Sequence, residues 1–362
     1  MNAIKFLIII SLLTSFGVSI LLVITKRWHG KYTFDPIVGT QKFHSMPTPR
    51  VGGLAIFIAL TVTWLFSPKS LSQLLGLLVI AALPAFSAGL IEDITKRVGV
   101  RDRLLATVVT GVLAWWLTGY SLNHIEIWGL DYFLLYLPFS VVFTAIAVSG
   151  VANSINIIDG FNGLAGGTLM ICFSALGLIA WNVGDLQLAQ LCVLMVVIVG
   201  GFIIVNFPFG KIFLGDGGAY MLGFFLAWFS VMLPSRNPTV SVWAPLLICA
   251  YPIIETIYSM GRRYKNNASA GDADTQHLHS LIKIKIIRSY FATLSAYMRN
   301  SLVAPFCWLY AIIPALLATI YYDNTAALAV SWIIVFSIYV ILYKLLLQAK
   351  IPEQKAVLST EF

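Results

Sequence analysis

The sequence predicts an all-α polytopic integral membrane protein, one membrane-embedded domain spanning residues 1–362. Three observations predict it. The chain is 59% hydrophobic and 10% charged, with a mean hydropathy of +0.88. A soluble domain has about a quarter of its residues charged, so lipid must solvate most of this chain. Eleven apolar runs are long enough to cross a hydrocarbon slab, which is roughly 30 Å thick and needs about 17–25 residues. The 23 Lys and Arg residues then divide 20 to 3 between the two sides that these runs define.

The runs centre on 4–24, 51–67, 73–91, 104–119, 132–150, 163–181, 187–206, 213–233, 240–259, 303–321 and 325–347. The first resembles a signal sequence, but no small-residue cleavage site follows it. Lys26, Arg27 and Lys31 come directly after, a stop-transfer pattern that predicts a retained span with the N-terminus outside. Segments 25–50, 92–103, 151–162, 207–212, 260–302 and the tail from 348 are then cytoplasmic, with Lys344 at the inner end of the last run. Only Lys5, Lys69 and Arg236 fall on the other side. The bias accounts for the net charge of +8 without nucleic acid as a partner. It also draws the protein towards anionic head groups and phosphorylated substrates. Cys172, Cys192, Cys249 and Cys307 all fall inside runs and read as small apolar packing residues.

Between the runs, residues 30–50 read as a loop ending in Pro47-Thr48-Pro49-Arg50-Val51-Gly52-Gly53. The paired prolines predict an extended approach to the next span. Residues 266–274 read as a second loop. His277 to Phe291, with Lys283, Lys285 and Arg288 among isoleucines, could form a helix at the membrane surface. The last dozen residues read as a tail.

Four polar motifs all fall on the cytoplasmic side. Glu92 and Asp93 close the third run, ahead of Lys96, Arg97, Arg101 and Arg103. Carboxylates at a helix C-terminus sit at the unfavourable end of the dipole, so they need a reason to be there. Ionised beside several cations, they could accept a proton from a phosphate nucleophile or orient it. Asn153, Asn156 and Asp159 recur at three-residue spacing and would share a helical face. Amide and carboxylate oxygens are what a hard cation such as Mg²⁺ takes. Asp216 is wrapped by Gly215, Gly217 and Gly218 at the start of a run, with Phe213 before it as a flat apolar face. A lone carboxylate suits Mg²⁺, which completes its shell with substrate phosphates. His277 and His279 are two apart, on one side of an extended strand, without the further ligands zinc needs. With Arg262, Arg263 and Lys265 they read as phosphate contacts. The bland alternatives are a solvated helix end, a polar cap, an N-capping turn and two solvated histidines.

In order and spacing these motifs resemble the polyprenyl-phosphate N-acetylhexosamine-1-phosphate transferase family, glycosyltransferase family 4. The residues that carry the likeness are Thr48-Pro-Arg-Val-Gly-Gly, Glu92-Asp93 with Lys96, Asn156-Ile-Ile-Asp159-Gly-Phe-Asn162-Gly, Phe213-Leu-Gly-Asp216 and Gln276-His277-Leu-His279. The resemblance implies a multi-pass enzyme of the bacterial inner membrane with a cytoplasmic active site. A polyprenyl phosphate attacks the β-phosphate of a UDP-amino sugar and UMP leaves. Mg²⁺ is the implied cofactor, with Mn²⁺ as a substitute. By resemblance, Asp216 holds the metal with Asn156 and Asp159 near it, and Glu92 or Asp93 deprotonates or steers the lipid phosphate. Lys96, His277 and His279 contact phosphates, and Asn162 and Phe213 face the uracil. A homodimer is one assembly open to the chain.

Two positions depart from the family pattern. Glu92 stands where the first of two aspartates is usual, and Asn162 stands where a second Asp often follows Asp-Gly-x. A neutral Asn keeps a nucleoside contact better than a metal-ligand role, and an Asp at 162 is expected to be tolerated. His-Leu-His replaces the three-histidine run of the peptidoglycan-precursor branch, which resembles the branch that starts O-antigen and related surface polysaccharides. The alternatives are a phospho-N-acetylmuramoyl-pentapeptide transferase, a lipid-binding scaffold subunit and a secondary transporter. Against transport, Glu255 is the main ionisable residue within the runs and no internal repeat is visible.

Overall fold

In hydrocarbon a backbone must satisfy its own hydrogen bonds, and each apolar run has done so by becoming helical. The computed structural model describes residues 2–35, 47–267, 274 and 276–349. The elements are α1 (Asn2–Ile24), α2 (Lys26–Thr33), β1 (Phe34–Asp35), β2 (Thr48–Pro49), α3 (Gly52–Phe66), α4 (Lys69–Thr95) and α5 (Val100–Thr118). Then come α6 (Leu130–Leu134), α7 (Leu137–Ile158), α8 (Leu164–Asn182), α9 (Leu186–Asn206) and α10 (Gly215–Arg236). The C-terminal part holds α11 (Trp243–Ile248), α12 (Ala250–Lys265), α13 (Leu278–Leu281), a π-helical stretch (Ile282–Ile287), α14 (Arg288–Tyr290), α15 (Ala296–Ser301), α16 (Val303–Ile320) and α17 (Thr325–Gln348).

Among the described residues, eight helices are long and apolar enough to cross a membrane, with α15 and α16 read as one. This is a multi-pass membrane protein. The other three expected runs are helical but differ in kind. Helix α3 has only 15 residues, and α5 carries Arg101, Asp102 and Arg103 in its first turn. The ninth run is broken at Cys249 into α11 and α12. Pro252 has no N–H for the Ile248 carbonyl, and Cys172 donates its S–H there at 3.4 Å instead.

The outer faces are apolar because lipid is their solvent: Phe6, Ile9 and Leu13 on α1 and Ile333, Ile341 and Leu345 on α17 are exposed. Helix α10 is the axis of the bundle, buried from Gly215 to Pro234 except at Ser230 and packed on α3, α4, α7 and α8. All four cysteines are free and buried.

Two cytoplasmic expectations change. Residues 30–33 of the first loop belong to α2, and Asp35 and Thr48 pair across an antiparallel β1–β2 bridge. Residues 36–46 between them lie outside the described residues, as do 268–273 of the second loop and the tail from 350. The segment after His277 is not a surface helix. It changes to π geometry at Ile282, with Leu281, Ile282, Lys283 and Ile287 buried against the bundle.

Glycine permits the close approach at the core. A Cβ on Gly89 of α4 would lie 2.5 Å from the Gly217 nitrogen, and one on Gly53 of α3 would lie 2.3 Å from the Gly218 nitrogen. The three helix backbones meet directly at the start of α10. Gly89→Leu is expected to cost about 3 kcal/mol or more, at the upper end of overpacking effects, seen as loss of the monodisperse peak in detergent size-exclusion chromatography.

Candidate active site

Helix α10 begins with Gly215 at φ 75°. A Cβ there would lie 2.6 Å from Asp93 Oδ2 and 2.4 Å from the Arg50 carbonyl oxygen. That crowding is the site's foundation. Asp93 ends α4, and its two oxygens accept the N–H groups of Asp216 and Gly217, both at 2.9 Å. The sequence places Asp93 at the negative end of its own helix, and the structure supplies the missing reason: it caps the positive end of α10.

Asp216 follows in the first turn of α10, 1% exposed, paired with both Arg50 and Arg103. Arg50 also reaches Asp93 Oδ1 at 3.3 Å and Asp35 Oδ1 at 3.6 Å. It is held there because Pro49 and Phe213 pair through their backbones, as do Gly52 with Phe213 and Gly53 with Leu214. Arg103 projects from the first turn of α5 and lies 5.9 Å over the Tyr220 ring. Tyr220, one turn beyond Asp216, accepts from Asn156 Nδ2 at 3.3 Å and donates to Asn153 Oδ1 at 3.5 Å. The helical face expected for Asn153 and Asn156 therefore exists on α7, and Asp159 caps its end.

These groups line a cleft of about 1060 Å³ together with Glu92, Asp159, Phe213 and His279. Burial raises the Asp159 carboxyl to about 7, although Arg50 and the Gly215 N–H act the other way. Glu92 lines the cleft and accepts the Val98 N–H at 2.8 Å. Lys96, at φ 57°, folds its Nζ back onto the Asp93 carbonyl at 2.8 Å.

Asn162 lines the cleft, and its amide nitrogen is engaged within the protein. Its Nδ2 donates to the Pro208 carbonyl at 3.3 Å and to Ser301 Oγ at 3.2 Å, tying the α7–α8 turn to the 207–210 turn and α15. A carboxylate cannot donate to a carbonyl, which argues against the expected tolerance of Asp there.

His277 and His279 are not on an extended strand. His277 is the extended N-cap residue of α13 and His279 lies in its first turn, because the buried Glu255 of α12 accepts the Leu278 N–H. Glu255 also accepts from His277 Nδ1 at 2.9 Å. The two imidazoles still share a side, stacked at 5.1 Å. His279 is buried against Phe161; burial, with His277 adding to it, lowers its pKa to about 4. It meets the cleft as a neutral imidazole. Arg262 is engaged by Gln276 and Asp274, whereas Arg263 lines the cleft.

Sequence reading assigned no role to Asp35 or Tyr220, gave Arg50 only as part of the Thr48–Gly53 motif and Arg103 only as one of the cations beside Glu92 and Asp93, and left Glu255 unexplained. A local signal existed for Tyr220, four residues after Asp216 and hence on the same helix face.

A Mg²⁺ ion fits the donors: Asp216, Asp159, Asn153 and Asn156 offer hard oxygens only. Among the described residues no three His, Cys, Asp or Glu side chains form a ready-made metal cluster. A cation here would draw much of its shell from substrate and water, as Mg²⁺ commonly does.

Asn162→Asp is expected to destabilise the protein by about 1–3 kcal/mol through two lost donors, read as a lowered melting temperature. For His279, the unfolded ring binds a proton below its ordinary value of 6.5 and the folded ring only below about 4. Its contribution to stability is therefore complete above 6.5 and is lost as pH falls towards 4. Thermal unfolding over that interval is expected to fall more steeply in the wild type than in His279→Gln.

Residues 74–234 match the profile described as Glycosyl transferase family 4. That stretch holds α4 to α10, and with them Glu92, Asp93, Asp159 and Asp216. The chain is 27% identical over 273 residues to an undecaprenyl-phosphate alpha-N-acetylglucosaminyl 1-phosphate transferase of Yersinia pestis, covering 73% of this chain and 72% of the relative. Its identity to the Salmonella typhi protein of the same name is 28% over 271 residues, with coverage of 73% and 72%. To that of Escherichia coli K12 it is 27% over 274 residues, again covering 73% and 72%. The profile covers the helices that bring these carboxylates to the cleft, and over that stretch the chain is similar to glycosyl transferase family 4.

Proposed function

We propose that this protein transfers an N-acetylhexosamine 1-phosphate from a UDP-sugar to undecaprenyl or a similar polyprenyl phosphate, releasing UMP. The reaction begins a lipid-linked surface polysaccharide on the cytoplasmic face of a bacterial inner membrane. The observation that carries the reading is the convergence of Asp216, Asp159 and Glu92 with Arg50 and Arg103 in one cleft, at the membrane end where the basic residues gather. The activity for which these relatives are named supports the lipid and the amino sugar. The His277-Leu-His279 pattern supports the polysaccharide branch over the peptidoglycan one.

In this reading a lipid phosphate oxygen attacks the β-phosphorus of the donor. The bond from that phosphorus to the oxygen bridging the α-phosphate breaks, and UMP leaves with that oxygen. The product is a lipid-linked sugar diphosphate. Glu92, facing the cleft, orients the lipid phosphate, which is already an anion near neutral pH and needs little deprotonation. Asp93 is best placed as a positioning residue, since both of its oxygens hold α10. Arg50 and Arg103 offset charge on the diphosphate, and Phe213 offers its ring to the uracil. Mg²⁺, with Mn²⁺ as substitute, would be held by Asp216 with Asp159 and Asn156 beside it, and would neutralise phosphate charge in the transition state.

Purified protein with undecaprenyl phosphate, Mg²⁺ and a panel of UDP-amino sugars, UDP-N-acetylglucosamine first, is expected to release UMP. Asp216→Asn is expected to lower that rate about a hundredfold or more while remaining monodisperse. Absence of UMP with every donor, or near-normal activity of Asp216→Asn, would overturn the reaction or the assignment of Asp216.

A further inference from the structure

The two guanidiniums on Asp216 are not equivalent. Arg50 is tied to three carboxylates on three elements, so Asp35 and Asp93 would still hold it if Asp216 turned away. Arg103 has Asp216 as its only carboxylate partner among the described residues. Its other contacts are the Tyr220 ring face and the Gly99 carbonyl, which accepts from its Nε at 3.4 Å. Its side chain is 14% exposed and lines the cleft. A buried carboxylate needs a positive partner, and Arg103 supplies one where a divalent cation would otherwise do so.

We propose that Arg103 is an exchangeable counter-ion: it neutralises Asp216 in the substrate-free protein and passes to the donor diphosphate when a divalent cation takes Asp216. The inference rests on the proposed reaction and adds a residue and an order of events to it. A guanidinium suits the second role because its planar fork bonds two phosphate oxygens at once. Cation and sugar nucleotide then bind with positive coupling. The cation frees Arg103 for the diphosphate, and the diphosphate draws Arg103 off Asp216. With Arg50 remaining fixed on Asp35 and Asp93, the carboxylate cluster is not left uncompensated during the exchange.

The consequence is a pair of opposite effects in one variant. In Arg103→Gln the competing charge is gone, so Mn²⁺ binding to the substrate-free protein, read by electron paramagnetic resonance, is expected to tighten about tenfold. In the same variant the KM for the UDP-sugar at saturating cation is expected to rise about tenfold. A residue that only held the fold would weaken both and lower the melting temperature. Arg103→Lys keeps the charge with shorter reach and is expected to tighten Mn²⁺ binding about threefold, and it carries the test if Arg103→Gln does not fold. Unchanged or weaker Mn²⁺ binding in a variant that melts like the wild type would overturn the proposal, as would an unchanged donor KM. Wild-type protein that releases UMP while neither quantity moves would sink this inference alone. Wild-type protein that releases no UMP while Mn²⁺ binding tightens in Arg103→Gln would sink the reaction and leave the Asp216–Arg103 competition standing.

Discussion

One carboxylate bridges two helix ends, and the site is built on it. Asp93 leaves the C-terminus of α4 and receives two N–H groups from the N-terminus of α10. Hydrogen bonds to a charged acceptor contribute about 1.5–3 kcal/mol each, and more is lost if the buried partner is removed. The same bonds fix the direction in which Asp216 leaves α10. Arg50 then locks the β1–β2 bridge, α4 and α10 to one another through Asp35, Asp93 and Asp216. Without this bridge the glycine-rich start of α10 would have no reason to hold a single geometry.

The surrounding bundle keeps these charges where they can be paired. Ionisable groups are costly inside a membrane, and here the site carboxylates collect at helix ends on one face. Glu255 is the instructive case. It is fully buried on α12 and accepts from His277 and from the Leu278 N–H, so the main ionisable residue within the apolar runs is the anchor of the histidine motif. The break between α11 and α12 at Cys249, forced by Pro252, gives α12 its own direction towards that motif.

Charge in the cleft is balanced by pairs that can be exchanged. Asp216 carries two arginines, Asp159 is held near neutrality by burial, and His279 is kept neutral. An arriving cation and diphosphate would bring opposite charges into a place already holding both signs. Such sites stabilise charge that develops during phosphoryl transfer without recruiting new groups at that moment.

The sequence by itself determined the fold class, the helical runs, the side bearing the basic residues and the motif positions, because lipid solvation and helical period are local properties of a chain. It placed Asn153, Asn156 and Asp159 on one helix and Asp216 at the head of another, as found. It overextended the 30–50 loop into what is α2 and read the histidines as strand and residues 277–291 as a surface helix. The outcome at the histidines depends on Glu255, which is 22 residues from His277. Only the tertiary structure decided that Asp93 caps α10, that Asn162 faces Pro208 and Ser301, and that Arg50 and Arg103 share Asp216. Arg50 and Asp216 are 166 residues apart, and no periodicity or local propensity encodes which buried charge will meet which; packing of the helices does.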